Sequence, residues 1–380
     1  MHMVASAAGE VRPYRVLSLD GGGVRGLYSA LLLQGLAKRF AANQRLPDAE
    51  SFDLGAQFDL IVGTSTGAIL ATALAAGVPL KRVIELYRQK AKDIFTNPAG
   101  SGGRAAWWAM KNAGHAANSP KPLETALHDV LQDETVGEMY ARRGIGLCVP
   151  AVNVETSKSW VFKTPHDKDG NRLNRDNNYR LVDVCLASTA APMVLPIHGV
   201  ASPGDKDGAF NWFADGGLWA NNPSLVALTE ALSMSDGEQP IELMSVSTCP
   251  PFQGCTITPQ QADRGALGWK IGVGIVEVAL DAQSYAYDYV TKTVAQFTGR
   301  KVGYVRLKDP DVPINDVAHL SLDNPSKKCL DLLSRLANQA IDLNVSLATA
   351  GSPPPQPLIA QFFQNIQAFP AQQPEGAVNG

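Results

Sequence analysis

A chain of 380 residues, 45% hydrophobic and 18% charged, can bury a substantial core without cross-links and is too apolar to remain disordered. Its formal charge of -3 and pI near 6.1 provide no basic field, which argues against DNA or RNA as a partner. Five scattered cysteines without a CxxC pair exclude a disulfide framework and fit a reducing, cytoplasmic setting. No Cys/His spacing points to a metal, and nothing asks for a cofactor. No run approaches the roughly 18 apolar residues of a membrane span. No basic stretch followed by an apolar one marks a signal peptide.

In chain order, residues 1–12 read as a flexible leader. Tyr14 to Leu19 form an apolar run that stops at Asp20-Gly21-Gly22-Gly23, the pattern of a buried strand ending in a glycine loop. Leu27, Ala30, Leu31, Leu36 and Phe40 then recur at helical spacing. The unit repeats, with a strand over Phe58 to Val62, a turn at Gly63-Thr64-Ser65-Thr66-Gly67 and an Ala/Leu-rich helix from Ala68 to Ala76. Two strand–turn–helix units in succession predict a parallel sheet with right-handed crossovers.

Trp107, Trp108 and Met110 fall in a Gly/Ala-rich stretch between Pro98 and Pro122. They read as core aromatics, or alternatively as a lid or interfacial patch. A helix from Leu123 to Leu131 follows, then strands at Leu147–Val152 and Ser159–Phe162, and a helix at Leu181–Thr189. A strand at Asn211–Ala214 ends in Asp215-Gly216-Gly217, and Ile241–Val246 is another buried strand. About 265–350 reads as mostly helical, so residues 13–350 make one catalytic domain. The Pro/Gln-rich tail, 351–380, carries Ile359, Phe362, Phe363 and Ile366 at i, i+3, i+4 and i+7. This spacing predicts a short amphipathic helix over Leu358 to Phe369. The tail has no Lys or Arg from Ser352 to Pro374, so it is expected to dock on the protein's own body or a second subunit rather than on a membrane. A homo-oligomer is therefore one option.

Three motifs carry chemistry. Ser65 lies in a GxSxG turn between strand and helix, where a nucleophile protrudes and the following helix aims its free N–H groups at a developing oxyanion. In Asp20-Gly21-Gly22-Gly23-Val24-Arg25-Gly26, consecutive glycines expose backbone N–H groups in an arc that suits an oxyanion, and Arg25 adds positive charge. Gly21, Gly23 and Gly26 also satisfy a dinucleotide-type GxGxxG, but the next strand ends in Ser65's turn rather than in a ribose-binding acid. Asp215, at a strand end beside two glycines, can serve as the general base for Ser65. A Ser65–Asp215–His319 triad competes formally, yet only one clear strand precedes the strand that leads to Ser65. His319 reads as a surface-loop residue and His198 as a structural one, so a dyad is preferred.

These three motifs, in this order, resemble the patatin-like phospholipases over about residues 14–250. Ala187-Ser188-Thr189-Ala190-Ala191-Pro192 resembles that family's substrate-channel segment. Leu243 to Thr248 resembles a later core strand, with Ser247 where a glycine is usual. The resemblance implies a three-layer α/β/α fold with a mostly parallel sheet and a helical C-terminal part. It implies a Ser65–Asp215 dyad, an oxyanion hole drawn from Gly21, Gly22 and Gly23 with Arg25 nearby, and cleavage of phospholipid acyl esters at a membrane surface without a metal. A finer resemblance, carried by Arg15 to Asp20 and the chain length, is to bacterial antiphage phospholipases switched on by a cyclic dinucleotide. The alternatives are constitutive lipid hydrolysis, or a storage or binding protein that keeps the fold.

Overall fold

The computed structural model describes residues 11–41, 52–96, 111–112, 114–167, 174–201, 210–250, 257–263, 265, 269, 273–348, 351–364 and 366–369. Trp107, Trp108 and Met110 lie outside these residues.

Eight strands form one sheet: β1 (Tyr14–Leu19), β2 (Leu60–Gly63), β3 (Gly146–Asn153), β4 (Lys158–Lys163), β5 (His198–Ala201), β6 (Phe210–Asp215), β7 (Ile241–Val246) and β8 (Val302–Arg306). The order is β5-β6-β3-β2-β1-β7-β8, with β4 also paired to β3. Strands β3, β2, β1, β7 and β8 run parallel, whereas β4, β5 and β6 join by antiparallel pairs. The chain leaves β1 toward β2 and β3, then returns to β7 on the other side of β1. Such a switch point is where open α/β sheets bind their ligands, outside the carboxyl ends of the strands.

Alternation along the strands separates two cores. Leu17, Leu19, Ile61, Leu147 and Val149 pack on one face, and Val16, Leu60, Val62 and Cys148 on the other. The first face is covered by α1 (Gly26–Ala41), α2 (Thr66–Ala75), α3 (Leu80–Ile94), α4 (Lys121–Leu131), α5 (Val136–Arg143) and α6 (Leu181–Thr189). After β6 come α7 (Gly217–Ala220) and α8 (Ser224–Met234), with Ala227, Leu228 and Ala231 of α8 on the second face. The long α9 (Val273–Phe297) lies against α7 and α8, and α10 (Lys327–Leu347) lies against α1.

Two features depart from the sequence reading. The mostly helical stretch contains β8, five residues that extend the parallel sheet beyond β7. The tail helix spans only Leu358–Gln361, after which the chain forms an isolated bridge between Phe52 and Ala368. The four spaced apolar residues are nevertheless all buried. Phe363 stacks on Phe40 and Phe362 on Phe58, with centroids 5.6 and 5.7 Å apart. Docking of the segment on the protein's own body therefore needs only one helical turn. Among the described residues no helix is long and apolar enough to cross a membrane.

Candidate active site

Strand register brings Ser65 and Asp215 to one level. Val62 pairs with Cys148 and, three residues further along β3, Ala151 pairs with Asp215, so the turn after β2 and the end of β6 meet beside the same strand. Ser65 sits at φ 55° and ψ -125°, a left-handed conformation that a non-glycine residue holds only when its surroundings enforce it. They do so here. A Cβ on Gly63 would lie 2.2 Å from the Gly67 carbonyl oxygen, and one on Gly67 would lie 2.4 Å from that of Leu19. Only glycine permits so tight a turn between strand and helix.

The Ser65 hydroxyl donates to Asp215 Oδ2 at 2.7 Å. The other carboxylate oxygen, Oδ1, accepts the Gly217 N–H at 2.6 Å, which fixes the carboxylate plane. No histidine stands between them. His198 bonds Asp183 at 3.3 Å, and His319 contributes its backbone to the turn that receives Asn324. Burial pushes the Asp215 carboxyl up to about 6, opposed by the hydrogen bonds from Ser65 and Gly217.

Ser188, in the segment read as part of the substrate channel, couples the two residues. Its Oγ accepts the Ser65 N–H at 2.9 Å and donates to the Pro150 carbonyl at 2.7 Å, while its own carbonyl accepts the Gly216 N–H at 3.3 Å. The end of α6 thus holds both the elbow and the Asp215 loop. Sequence reading noticed this segment only as a likeness and gave Ser188 no role.

The glycine loop lies directly alongside. A Cβ on Gly21 would come within 3.2 Å of Ser65 Cβ. The Gly21 N–H donates to the Asn221 carbonyl at 2.8 Å and the Gly22 N–H to Thr66 Oγ1 at 3.2 Å. Among the described residues the Gly23 N–H, at φ 58°, has no acceptor. Arg25 is buried, and its Nε has no hydrogen-bond partner. Desolvation lowers its proton affinity, countered by the carboxylates of Asp281 and Asp309. The loop's first residue, Asp20, is paired with Arg306 of β8 at 2.5 Å. Burial lifts its carboxyl to about 6 in spite of that partner, while Asp20 holds the Arg306 proton more firmly.

Elsewhere, Cys148, His166 and Glu230 bring ligand-type atoms within 4.8 Å of one another. Lys163 Nζ lies 2.5 Å from Glu230 and His166 Nδ1 lies 2.7 Å from Thr164 Oγ1, so the cluster is a completed ion network with a cation already in place. It adjoins the amino-terminal end of β3, away from Ser65.

A family model described as patatin-like phospholipase matches residues 17–228, which include all three motifs. The chain belongs to the patatin-like phospholipase family. It is 31% identical over 352 residues to a cGAMP-activated phospholipase of Vibrio cholerae, covering 88% of this chain and 93% of that protein. A cGAMP-activated phospholipase of Escherichia coli is 30% identical over 339 residues, covering 86% and 88%. Patatin-like protein 4 of Arabidopsis thaliana is 28% identical over 361 residues, covering 87% and 84%. Among solved structures, the human GIVD cytosolic phospholipase A2 aligns with a TM-score of 0.42 at 12% identity, over 93% of this chain and 60% of that one. As a patatin-like phospholipase, this protein is a lipid acyl hydrolase, with the mostly parallel sheet and flanking helices described above.

Proposed function

We propose that this patatin-like phospholipase cleaves fatty acyl esters of membrane phospholipids with a Ser65–Asp215 dyad. The observation that carries the reading is the 2.7 Å hydrogen bond from Ser65 on its strained turn to a buried carboxylate with no histidine between them. Asp215 Oδ2 takes the hydroxyl proton as Ser65 Oγ attacks the ester carbonyl. The developing oxyanion is received by backbone N–H groups of the glycine loop. The Gly21 N–H is committed to Asn221, which leaves Gly23, and Gly22 once it turns from Thr66, as donors. The buried Arg25 charge adds to this field. Asp215 then returns the proton to the departing lysolipid oxygen. A water, deprotonated by the same carboxylate, attacks the acyl-enzyme and releases the fatty acid. Oδ1 stays on Gly217 throughout, so the base is held in one orientation.

The names of the bacterial relatives support a second element, activation by a cyclic dinucleotide of the cGAMP type. The protein then serves as an antiphage effector that works from the cytoplasm and touches the membrane only peripherally. Fatty-acid release from mixed phospholipid vesicles, with and without a panel of cyclic dinucleotides, tests both elements. The expected result is release that rises at least tenfold with one dinucleotide and is abolished in Ser65→Ala. Equal release by wild type and Ser65→Ala would sink the hydrolase mechanism. Equal release with and without every dinucleotide would sink the switch alone.

A further inference from the structure

Helices α3 and α10 both lie against α1, and a cleft of about 230 Å³ opens between them. It is lined by Arg88 and Lys92 of α3 and by Lys327, Leu330, Asp331 and Ser334 of α10. Spacings of i, i+4 on one helix and i, i+3, i+4, i+7 on the other turn each set toward one side. Exposed cations are ordinary singly. Elsewhere in this chain Arg39, Arg142, Arg180 and Arg335 each hold a carboxylate. Around this cleft, among the described residues, neither the three cations nor Asp331 have a hydrogen-bond or ion-pair partner. Three cations against one carboxylate leave an excess of two positive charges.

Both walls of the cleft are tied to the catalytic centre. Next to Arg88, the buried Tyr87 donates its hydroxyl to the Thr66 carbonyl at 3.2 Å, one residue beyond Ser65, and a Cβ on Gly26 would lie 2.4 Å from that hydroxyl. Five residues before Lys327, the Leu322 carbonyl accepts the Val24 N–H of the glycine loop at 2.8 Å. One wall thus bears on the elbow and the other on the oxyanion loop.

We propose that this cleft is where the cyclic dinucleotide binds, with its phosphodiester groups on Arg88, Lys92 and Lys327; the inference rests on the switch reading above. The charge matches, because a cyclic dinucleotide carries two phosphodiesters and two negative charges. Asp331 selects within that class. A carboxylate repels a bare phosphate but accepts the adjacent N1–H and N2–H of a guanine edge, and the half-buried Leu330 offers apolar surface to a base. The cleft is smaller than the roughly 300–1,000 Å³ that encloses a drug-sized ligand. The dinucleotide therefore bridges its rim, and binding weakens as salt rises. A bridging dianion draws the two walls together. In the structure the Gly22 N–H is engaged by Thr66 Oγ1 at 3.2 Å. A shift of the Tyr87–Thr66 contact relative to the Leu322–Val24 contact frees that N–H for the oxyanion, so the ligand favours the competent arrangement.

Calorimetric titration of full-length Ser65→Ala with cGAMP tests the site. The expected result is binding that Arg88→Glu with Lys327→Glu weakens at least tenfold. The ligand-free thermal midpoint should stay unchanged, as expected of exposed side chains, while the rise in midpoint on adding cGAMP is lost. In the Ser65 background the same pair should reduce the stimulation of vesicle hydrolysis by cGAMP at least tenfold. Asp331→Asn should lower the preference for cGAMP over cyclic di-AMP, which has no guanine edge, and an unchanged preference would overturn the guanine assignment. Undiminished cGAMP affinity in the double variant would overturn the proposal. If that variant also lost co-sedimentation with phosphatidylglycerol vesicles, the cations would belong to lipid headgroups instead. Failure of the switch reading has a different signature, because no dinucleotide of the panel would then stimulate the wild-type protein.

Discussion

Among single residues the proposed chemistry turns on Asp215, and that role carries a cost in stability. Its buried carboxylate is accepted as charge only because Ser65 and Gly217 donate to it, and its pKa remains near 6. The base form is lost as pH falls through that value, so turnover on a soluble ester should drop below about pH 6, with one acidic limb. A raised carboxyl pKa also means that ionisation costs stability. That cost is absent below the unfolded value of 3.8 and is complete above about 6. Asp215→Asn should therefore abolish turnover yet raise the thermal midpoint at pH 8, corresponding to roughly 2–3 kcal/mol at most, with the gain shrinking toward pH 5. A midpoint that falls equally at both pH values would refute the desolvation argument. Ser188 tests positioning instead. Ser188→Ala leaves the Ser65 N–H without its acceptor, a loss of roughly 1–3 kcal/mol. It should lower kcat about tenfold or more while KM moves little. Ser188→Thr, which keeps the hydroxyl, should recover part of kcat. A KM effect without a kcat effect would make Ser188 a lining residue. Ser247 shows how a departure from a family pattern is accommodated. Its hydroxyl sits 2.5 and 2.6 Å from the two Asp309 oxygens and also accepts the Cys249 N–H. A glycine there could not hold Asp309.

At the scale of elements, much was legible where periodicity and punctuation agree. Tyr14–Leu19, Leu181–Thr189 and Ile241–Val246 take the bounds read from sequence, because each is an apolar run closed by a polar or small-residue break. Strand β8 was not legible, because Val302 to Arg306 is a five-residue run between two helices and acquires its character only by pairing with β7. The catalytic motifs were readable as local turns, yet their bonds to Ser188, Asn221 and Arg306 were not. Those partners come from α6, the α7–α8 junction and β8, distant in sequence and carrying no spacing signal. The tail segment was legible by its face rather than its length. Its four buried apolar residues each contribute on the order of 2 kcal/mol, and Phe362 and Phe363 fill the space beside Phe58 and Phe40. Truncation after Gly351 should therefore lower the thermal midpoint clearly, and Phe362→Ala alone should cost about 3–5 kcal/mol in chemical denaturation. Truncated protein that melts with the full chain would show that the tail contributes no stability.

For the whole molecule, topology explains why these residues meet. Three parallel strands, β1, β2 and β3, place the glycine loop, the Ser65 elbow and the Ala151 level side by side at their carboxyl ends, and antiparallel β6 returns Asp215 to that level. Helix α9 then closes one side of this end and turns an apolar face outward. The proposed nucleophile, base and oxyanion donors thus occupy one end of the sheet, with the core and docked tail left to maintain their geometry. The central claim is that Ser65 is the nucleophile and Asp215 its base. Mass spectrometry of the protein treated with an alkyl fluorophosphonate, with cGAMP present, tests it most directly. The account predicts a single covalent adduct on the peptide bearing Ser65, formed at least a hundredfold more slowly in Asp215→Asn. An adduct on another residue, or labelling of Asp215→Asn at the wild-type rate, would contradict it.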